Sequence, residues 1–235
     1  MMIFKQLFDS ESSTYTYFIA DSQAGVAVII DPVDTHIDDY LALLTQYNCK
    51  LTYSLETHVH ADHITGGGLL RQKTNAQTAV ASSCGAKTAD LQLNDGDDLV
   101  FANESIKVIS TPGHTPGSTS FLWRDRLFTG DALMINGCGR TDFQGGSPEA
   151  QYHSIVNKLF NLPDDTLVYP GHDYNGRRVS SIAQEKNINP RLAGKTLNQF
   201  VNIMNSLNLP KPKLIDIAVP ANRKCGIPED LITQG

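Results

Sequence analysis

The chain has 235 residues, 40% hydrophobic and 19% charged, the balance of an ordinary globular protein with enough length to bury a full core. Its 19 Lys and Arg against 25 Asp and Glu give a formal net charge of −6, and no basic run could neutralise a row of phosphates, which argues against nucleic acid and for small molecules as partners. No apolar stretch approaches bilayer length and the opening MMIFKQLFD lacks signal-peptide character, so no membrane association is expected and a cytoplasmic location follows by default.

In chain order, IFKQLF, TYTYFIA and VAVIID read as successive strands, rich in β-branched and aromatic residues and separated by polar turns. From Asp34 to Tyr47, Ile37, Tyr40, Leu41, Leu44 and Tyr47 recur at helical spacing, and Asp34 is placed to cap the first turn. A strand is expected over Lys50–Glu56, a helix over Ile64–Lys73 and a strand over Gln77–Ala81. A β-rich middle follows, with short strands over Leu99–Ala102, Ile106–Ser110, Thr119–Trp123 and Leu127–Thr129. Pro148–Phe160 predicts a helix with proline in its first turn, and Thr166–Tyr169 a strand. Helices are expected over Arg178–Lys186 and Leu197–Leu207, before a Pro-rich tail containing Leu214–Val219. No Gly/Ser linker or repeat interrupts the chain, so one domain is expected over 1–235, with a short helical extension over about 177–235.

Five of the seven histidines fall in three clusters that each follow an expected strand: His58, His60 and His63, then His114, then His172. Side chains two apart on an extended segment point the same way, so His58 and His60 can address one spot, with Asp62 and His63 reaching it from the following turn. His114 sits between two Pro-Gly steps that stiffen its loop. Asp131 follows a short strand beside Gly130 and is able to bind one metal or bridge two. Imidazole with carboxylate suits zinc, iron or manganese better than oxygen-loving magnesium or calcium. His36 and His153 stand outside the clusters and read as structural. The four cysteines, Cys49, Cys84, Cys138 and Cys225, form no CxxC pair and are expected to be reduced; Cys138, within GCGR, reads as a buried thiol with no catalytic step assigned to it.

THVHADH, TPGHTPG, FTGDA and YPGHDY, in this order, resemble the metal motifs of the metallo-β-lactamase superfamily. The resemblance implies an αββα sandwich of the α/β class. GCGRTDFQ (Gly137 to Gln144), HADHITGG, YPGHDYNG and IDIAVPANRKCG are similar to the ETHE1-like persulfide (sulfur) dioxygenases, and extend the likeness over nearly the whole chain. That branch implies one ferrous iron, Fe(II), held by His58, His114 and Asp131, with glutathione persulfide and dioxygen as substrates, and sulfite and glutathione as products. His60, Asp62, His63 and His172 then orient ligands and carry protons. Arg140 is the first candidate to pair with a glutathione carboxylate, with Tyr174 and Arg223 behind it. Relatives suggest a homodimer. The same ligand set also fits a glyoxalase II-type thioester hydrolase with two zinc or iron ions, and a third reading is a non-catalytic metal-binding scaffold.

Overall fold

The computed structural model describes residues 1–227, which divide into two compact units. Met1–Leu93, Val100–Ser105 and the chain from Lys211 form the first; Asn94–Leu99 and Ile106–Pro210 form the second. The expected C-terminal extension is therefore divided, residues 177–210 going with the second unit and those from Lys211 with the first.

The first unit opens with β1 (Met2–Asp9), β2 (Thr14–Asp21) and β3 (Val26–Ile30), an antiparallel run. Helix α1 (Ile37–Gln46) and then α2 (Gly67–Thr74) carry the chain back so that β4 (Lys50–Leu55), β5 (Gln77–Ala81) and β6 (Leu91–Leu93) join in parallel, giving the sheet order β1-β2-β3-β4-β5-β6. Parallel neighbours require such crossovers. Ile37, Tyr40 and Leu44 of α1 pack with Phe18, Ala20, Ala27 and Ile29 of the sheet and with Leu70 of α2, so the helical spacing read in the sequence is the buried face.

The second sheet has the order β12-β11-β10-β9-β8-β7. It comprises β7 (Asp98–Phe101), β8 (Glu104–Ser110), β9 (Thr119–Trp123), β10 (Arg126–Gly130), β11 (Leu167–Pro170) and β12 (Ser180–Ser181). Helix α3 (Pro148–Asn157) makes the crossover from β10 to its parallel partner β11, and α4 (Ile182–Ile188) and α5 (Leu197–Asn205) follow. Ile155, Ile182, Phe200 and Met204 of these helices close over Leu127 and Val168. The last helix, α6 (Ile215–Asn222), belongs to the first unit. The chain is thus of the α/β class, with two six-stranded sheets, and no helix of the described residues is long and apolar enough to cross a membrane.

Four local expectations differ. Asp34 does not cap α1; it lies in a 3-10 turn, Asp34–His36, and no side chain caps the helix. Helix α2 starts at Gly67 rather than Ile64, because a Val33–Thr65 bridge and the Gly66 N–H bond to Pro32 O tie the preceding residues to the segment after β3. Helix α4 starts at Ile182 rather than Arg178, because Ser180 and Ser181 pair with Val168 and Leu167, after which the Ser181 hydroxyl caps the helix. The strand β6 had no strand signal of its own in the sequence. At Gly68 any Cβ would stand 2.3 Å from Ile227 and 2.5 Å from Cys225 O, so glycine is what lets the C-terminal segment lie against α2.

His36, read as structural, bridges Asp39 (Nδ1 to Oδ2, 2.9 Å) and Asp9 (Nε2 to Oδ1, 3.1 Å). The Asp39 contact raises the His36 pKa above its ordinary 6.5, burial opposes the rise and Asp9 adds to it. A folded-state pKa above the unfolded one means that the native protein binds this proton more tightly, so the stabilisation is complete below the unfolded value and fades as pH rises through the folded one. The difference in urea midpoint between wild type and His36→Gln is therefore expected to be larger at pH 5.5 than at pH 9; an equal difference at both would show that the charge of His36 contributes nothing.

Candidate metal centre

In the first unit the site grows out of the parallel pair β3 and β4. Ile30 and Leu55 stand opposite each other, so Asp31 and Glu56 leave the sheet side by side at the strand ends, and Asp31 N–H bonds back to Leu55 O. The carboxylate of Asp31, fully buried, accepts from Thr57 N–H at 2.7 Å and from Thr57 Oγ1 at 2.8 Å. With its hydroxyl proton directed at Asp31, Thr57 Oγ1 offers only lone pairs to His58 Nδ1, 3.0 Å away. Nδ1 of His58 therefore carries the proton, and Nε2 is left with the lone pair a metal needs.

The histidine segment itself is an irregular loop rather than extended strand, yet it gathers its rings as expected: His58 and His60 centroids lie 4.0 Å apart, His60 and His63 4.3 Å. His60 Nε2 lies 3.1 Å from Asp31 and 3.5 Å from Glu56, in directions too oblique to make either contact a hydrogen bond. Burial opposes charge on His60, but Asp31 first, then Glu56 and Asp62, raise its pKa. Burial also pushes the Glu56 carboxyl up, against the opposing contacts with His60 and Thr65. One ligand atom each from His60, Asp62 and His63 falls within 4.8 Å of the others, so this unit carries the makings of a second metal position.

The second unit repeats the device with β10 and β11. Gly130 pairs with Pro170 and accepts from Gly171 N–H, so Asp131 and His172 emerge together, His172 Nδ1 lying 2.6 Å from Asp131 Oδ1. The other carboxylate oxygen, Oδ2, is 3.7 Å from His114 Nε2. That separation is too long for a hydrogen bond and suits two ligand atoms each about 2.1 Å from a shared ion. His114 Nδ1 lies 2.6 Å from the main-chain oxygen of Arg140, which only accepts, so His114 too is protonated at Nδ1 and presents Nε2. Gly139 lets this segment come close: a Cβ there would stand 2.5 Å from Asp131 O and 2.9 Å from His114 Nδ1. The imidazole Nε2 and carboxylate oxygen presented here, like the Nε2 that His58 presents in the first unit, are donors that suit a borderline divalent metal such as zinc or iron.

The expected substrate groups stand as follows. The Arg140 guanidinium is already engaged, by Asp142 through two bonds of 2.6 and 2.7 Å, by Pro210 O at 2.6 Å and by the face of Phe143. A substrate carboxylate would have to displace Asp142, whereas the Arg140 carbonyl already serves the site through His114. Tyr174 is exposed and stacks on His172 with ring centroids 6.0 Å apart; Arg223 is exposed just after α6. Cys138 is buried against Met204 and Arg191, and burial pushes its thiol up to about 11, so little of it is thiolate near neutral pH.

Sequence reasoning missed Asp31, Thr57 and Asn222. Asn222 is buried, donates through Nδ2 to His60 O and His63 O, and accepts from Thr65 N–H, stitching α6 to the histidine loop. Its only sequence signal is a polar side chain at the end of an apolar helix. Asp31 had a clearer one, a carboxylate ending an apolar strand just before a proline; its φ of 52° is one that aspartate tolerates. Thr57→Val keeps the shape and removes the hydroxyl that fixes His58. Metal affinity, measured by chelator competition, is expected to fall about ten- to a hundredfold; unchanged affinity would show that Thr57 does not orient His58.

Residues 10–83 and 84–172 match the model of the metallo-beta-lactamase superfamily. The chain is 45% identical over 228 residues to the mitochondrial persulfide dioxygenase ETHE1 of Homo sapiens, covering 96% of this chain and 89% of that one. The crystal structure of ETHE1 from Myxococcus xanthus superposes with a TM-score of 0.94 at 54% identity, covering 96% of this chain and all of that one. A hydroxyacylglutathione hydrolase of Cereibacter sphaeroides is 36% identical over 181 residues, 74% of this chain and 69% of its own. This chain belongs to the metallo-β-lactamase superfamily and, within it, to the persulfide dioxygenase family.

Proposed function

We propose that this protein is a persulfide dioxygenase that oxidises glutathione persulfide with dioxygen and water to sulfite and glutathione. The observation that carries the reading is the near full-length likeness to persulfide dioxygenases at 45 to 54% identity, against 36% over three quarters of the chain for the hydrolase. In this reading His58, His114 and Asp131 hold one iron ion. When bound, that ion would supply Lewis acidity and a path for electrons between the persulfide sulfur and dioxygen.

The chain's own residues do the rest. Thr57 and the Arg140 carbonyl fix the two imidazoles before any ligand arrives, so little reorganisation is left for the reaction. His172 holds one oxygen of Asp131, leaving the other to the metal. His60, Asp62 and His63 act as orienting and proton-carrying groups. For the substrate's glutathione part, exposed Tyr174 and Arg223 are the nearer candidates, and Arg140 contributes once its pairing with Asp142 is exchanged. A cytoplasmic location and a homodimeric active form belong to the same proposal.

The second reading, a thioester hydrolase with two zinc or iron ions, draws on the His60, Asp62 and His63 cluster. Metal analysis with an oxygen electrode separates the two. Protein loaded anaerobically is expected to bind about one iron per chain and to consume oxygen only when glutathione persulfide is present, and Asp131→Ala should lower both bound iron and turnover by more than about a hundredfold. Rapid cleavage of S-lactoylglutathione with two metals bound and no oxygen uptake would overturn the dioxygenase reading. A protein whose partners are indifferent to Asp131→Ala would favour a scaffold.

A further inference from the structure

From Asp62 an unbroken series of polar contacts runs through the first unit to its surface. Thr14 Oγ1 donates to Asp62 Oδ2 at 2.9 Å, the same oxygen that lies 2.9 Å from His63 Nδ1. Ser12 Oγ stands 2.7 Å from Thr14 Oγ1 and 2.5 Å from Asp9 Oδ2. Asp9 presents its other oxygen to His36 Nε2 at 3.1 Å, and His36 Nδ1 reaches Asp39 Oδ2 at 2.9 Å. Thr14 and Asp9 are buried, whereas the Asp39 side chain is 74% exposed. The outer end opens on a cavity of about 330 Å³ whose walls include Asp9, His36, Asp39 and Tyr40.

A tight turn between β1 and β2 would explain only part of this. Its conformation needs the bond from Ser12 N–H to Asp9 Oδ2, 2.7 Å, and nothing more. It does not require a serine hydroxyl between two acceptors, or a buried threonine hydroxyl joining that serine to a carboxylate of the histidine loop. Carboxylate, hydroxyl, hydroxyl, carboxylate and imidazole, each within 3.1 Å of the next, form a path along which a proton can move by short hops.

The geometry points to a proton relay, Asp62–Thr14–Ser12–Asp9–His36, that carries the proton released in each turnover from the site to solvent. The inference rests on the dioxygenase reading for its source of protons. Persulfide anion, dioxygen and water give thiol, sulfite dianion and one proton; the two sulfurs together lose four electrons and dioxygen gains four. Asp62 takes up that proton and passes it to Thr14 Oγ1, Thr14 releases its own proton to Ser12, and Ser12 likewise protonates Asp9. Asp9 protonates His36 Nε2, and the imidazolium gives up its Nδ1 proton beside Asp39 to water. Each hop leaves a hydroxyl proton facing Asp62, as Thr14 stands in this structure, so the hydroxyls then turn back toward Asp9, and exchange with water moves the remaining imidazole proton of His36 from Nε2 to Nδ1.

Ser12→Ala breaks the relay while keeping the backbone bond that forms the turn, and Ser12→Thr restores the hydroxyl. Two measurements on the full chain decide the matter. In the iron-loaded enzyme, Ser12→Ala is expected to lower kcat for oxygen uptake about tenfold, with KM for glutathione persulfide unchanged and a larger solvent deuterium isotope effect, and Ser12→Thr to recover most of the rate. In the metal-free protein, 15N NMR should show the His63 Nδ1 proton exchanging with solvent about tenfold more slowly in Ser12→Ala than in wild type or Ser12→Thr. Unchanged exchange, or a fall in kcat with no change in exchange or isotope effect, would overturn the relay. If wild type took up no oxygen with persulfide, the dioxygenase reading would fail, and the exchange measurement alone would decide whether protons travel this path.

Discussion

The Asp31 carboxylate, buried at the end of a parallel strand and bonded twice to Thr57, is the contact on which the histidine loop depends. A buried carboxylate is expensive unless its oxygens are satisfied, and bonds to a charged acceptor contribute about 1.5–3 kcal/mol each. Those two bonds stabilise the charge, set the path of the chain as it leaves β4, and polarise the threonine hydroxyl so that it faces His58 with lone pairs. One interaction thereby serves folding and the electronic state of a candidate ligand.

Each unit uses the C-terminal ends of a parallel strand pair. In register, Ile30 with Leu55 and Gly130 with Pro170, neighbouring strands release their next residues side by side, which is how Asp31 meets Thr57 and Asp131 meets His172. Loops that follow such ends are short of backbone partners and recruit polar side chains instead. Asn222 performs that service for the carbonyls of His60 and His63, and Gln151 for those of Ala132 and Gly139. The result is a set of donors whose rotamers and protonation are fixed by neighbours rather than by a ligand.

Much of this was legible in the sequence. Helical spacing from Ile37 to Leu44 and apolar runs in β2 and β3 marked the buried faces, and the histidine and aspartate motifs marked the ends of strands, because both signals are local. What escaped was set by distant partners. Asn222 acts on residues some 160 positions away, β12 exists because β11 offers it an edge, and Arg140 contributes its carbonyl, a group every residue possesses. The guanidinium drew attention because a charge shows in sequence, whereas its pairing with Asp142 shows only in three dimensions. His36 lies outside the metal motifs, and its link to Asp9 and onward to Thr14 depends on a hairpin turn that no periodicity announces.

The proposed centre depends on two imidazoles held as Nδ1–H tautomers that leave Nε2 able to bind a metal, His58 by Thr57 and His114 by the Arg140 carbonyl. Long-range 1H–15N NMR of histidine-labelled, metal-free protein near pH 8 reads this directly, since protonated and unprotonated ring nitrogens resonate far apart. The account predicts a protonated Nδ1 and a bare Nε2 at both residues. Protonation at Nε2 of either histidine would contradict it.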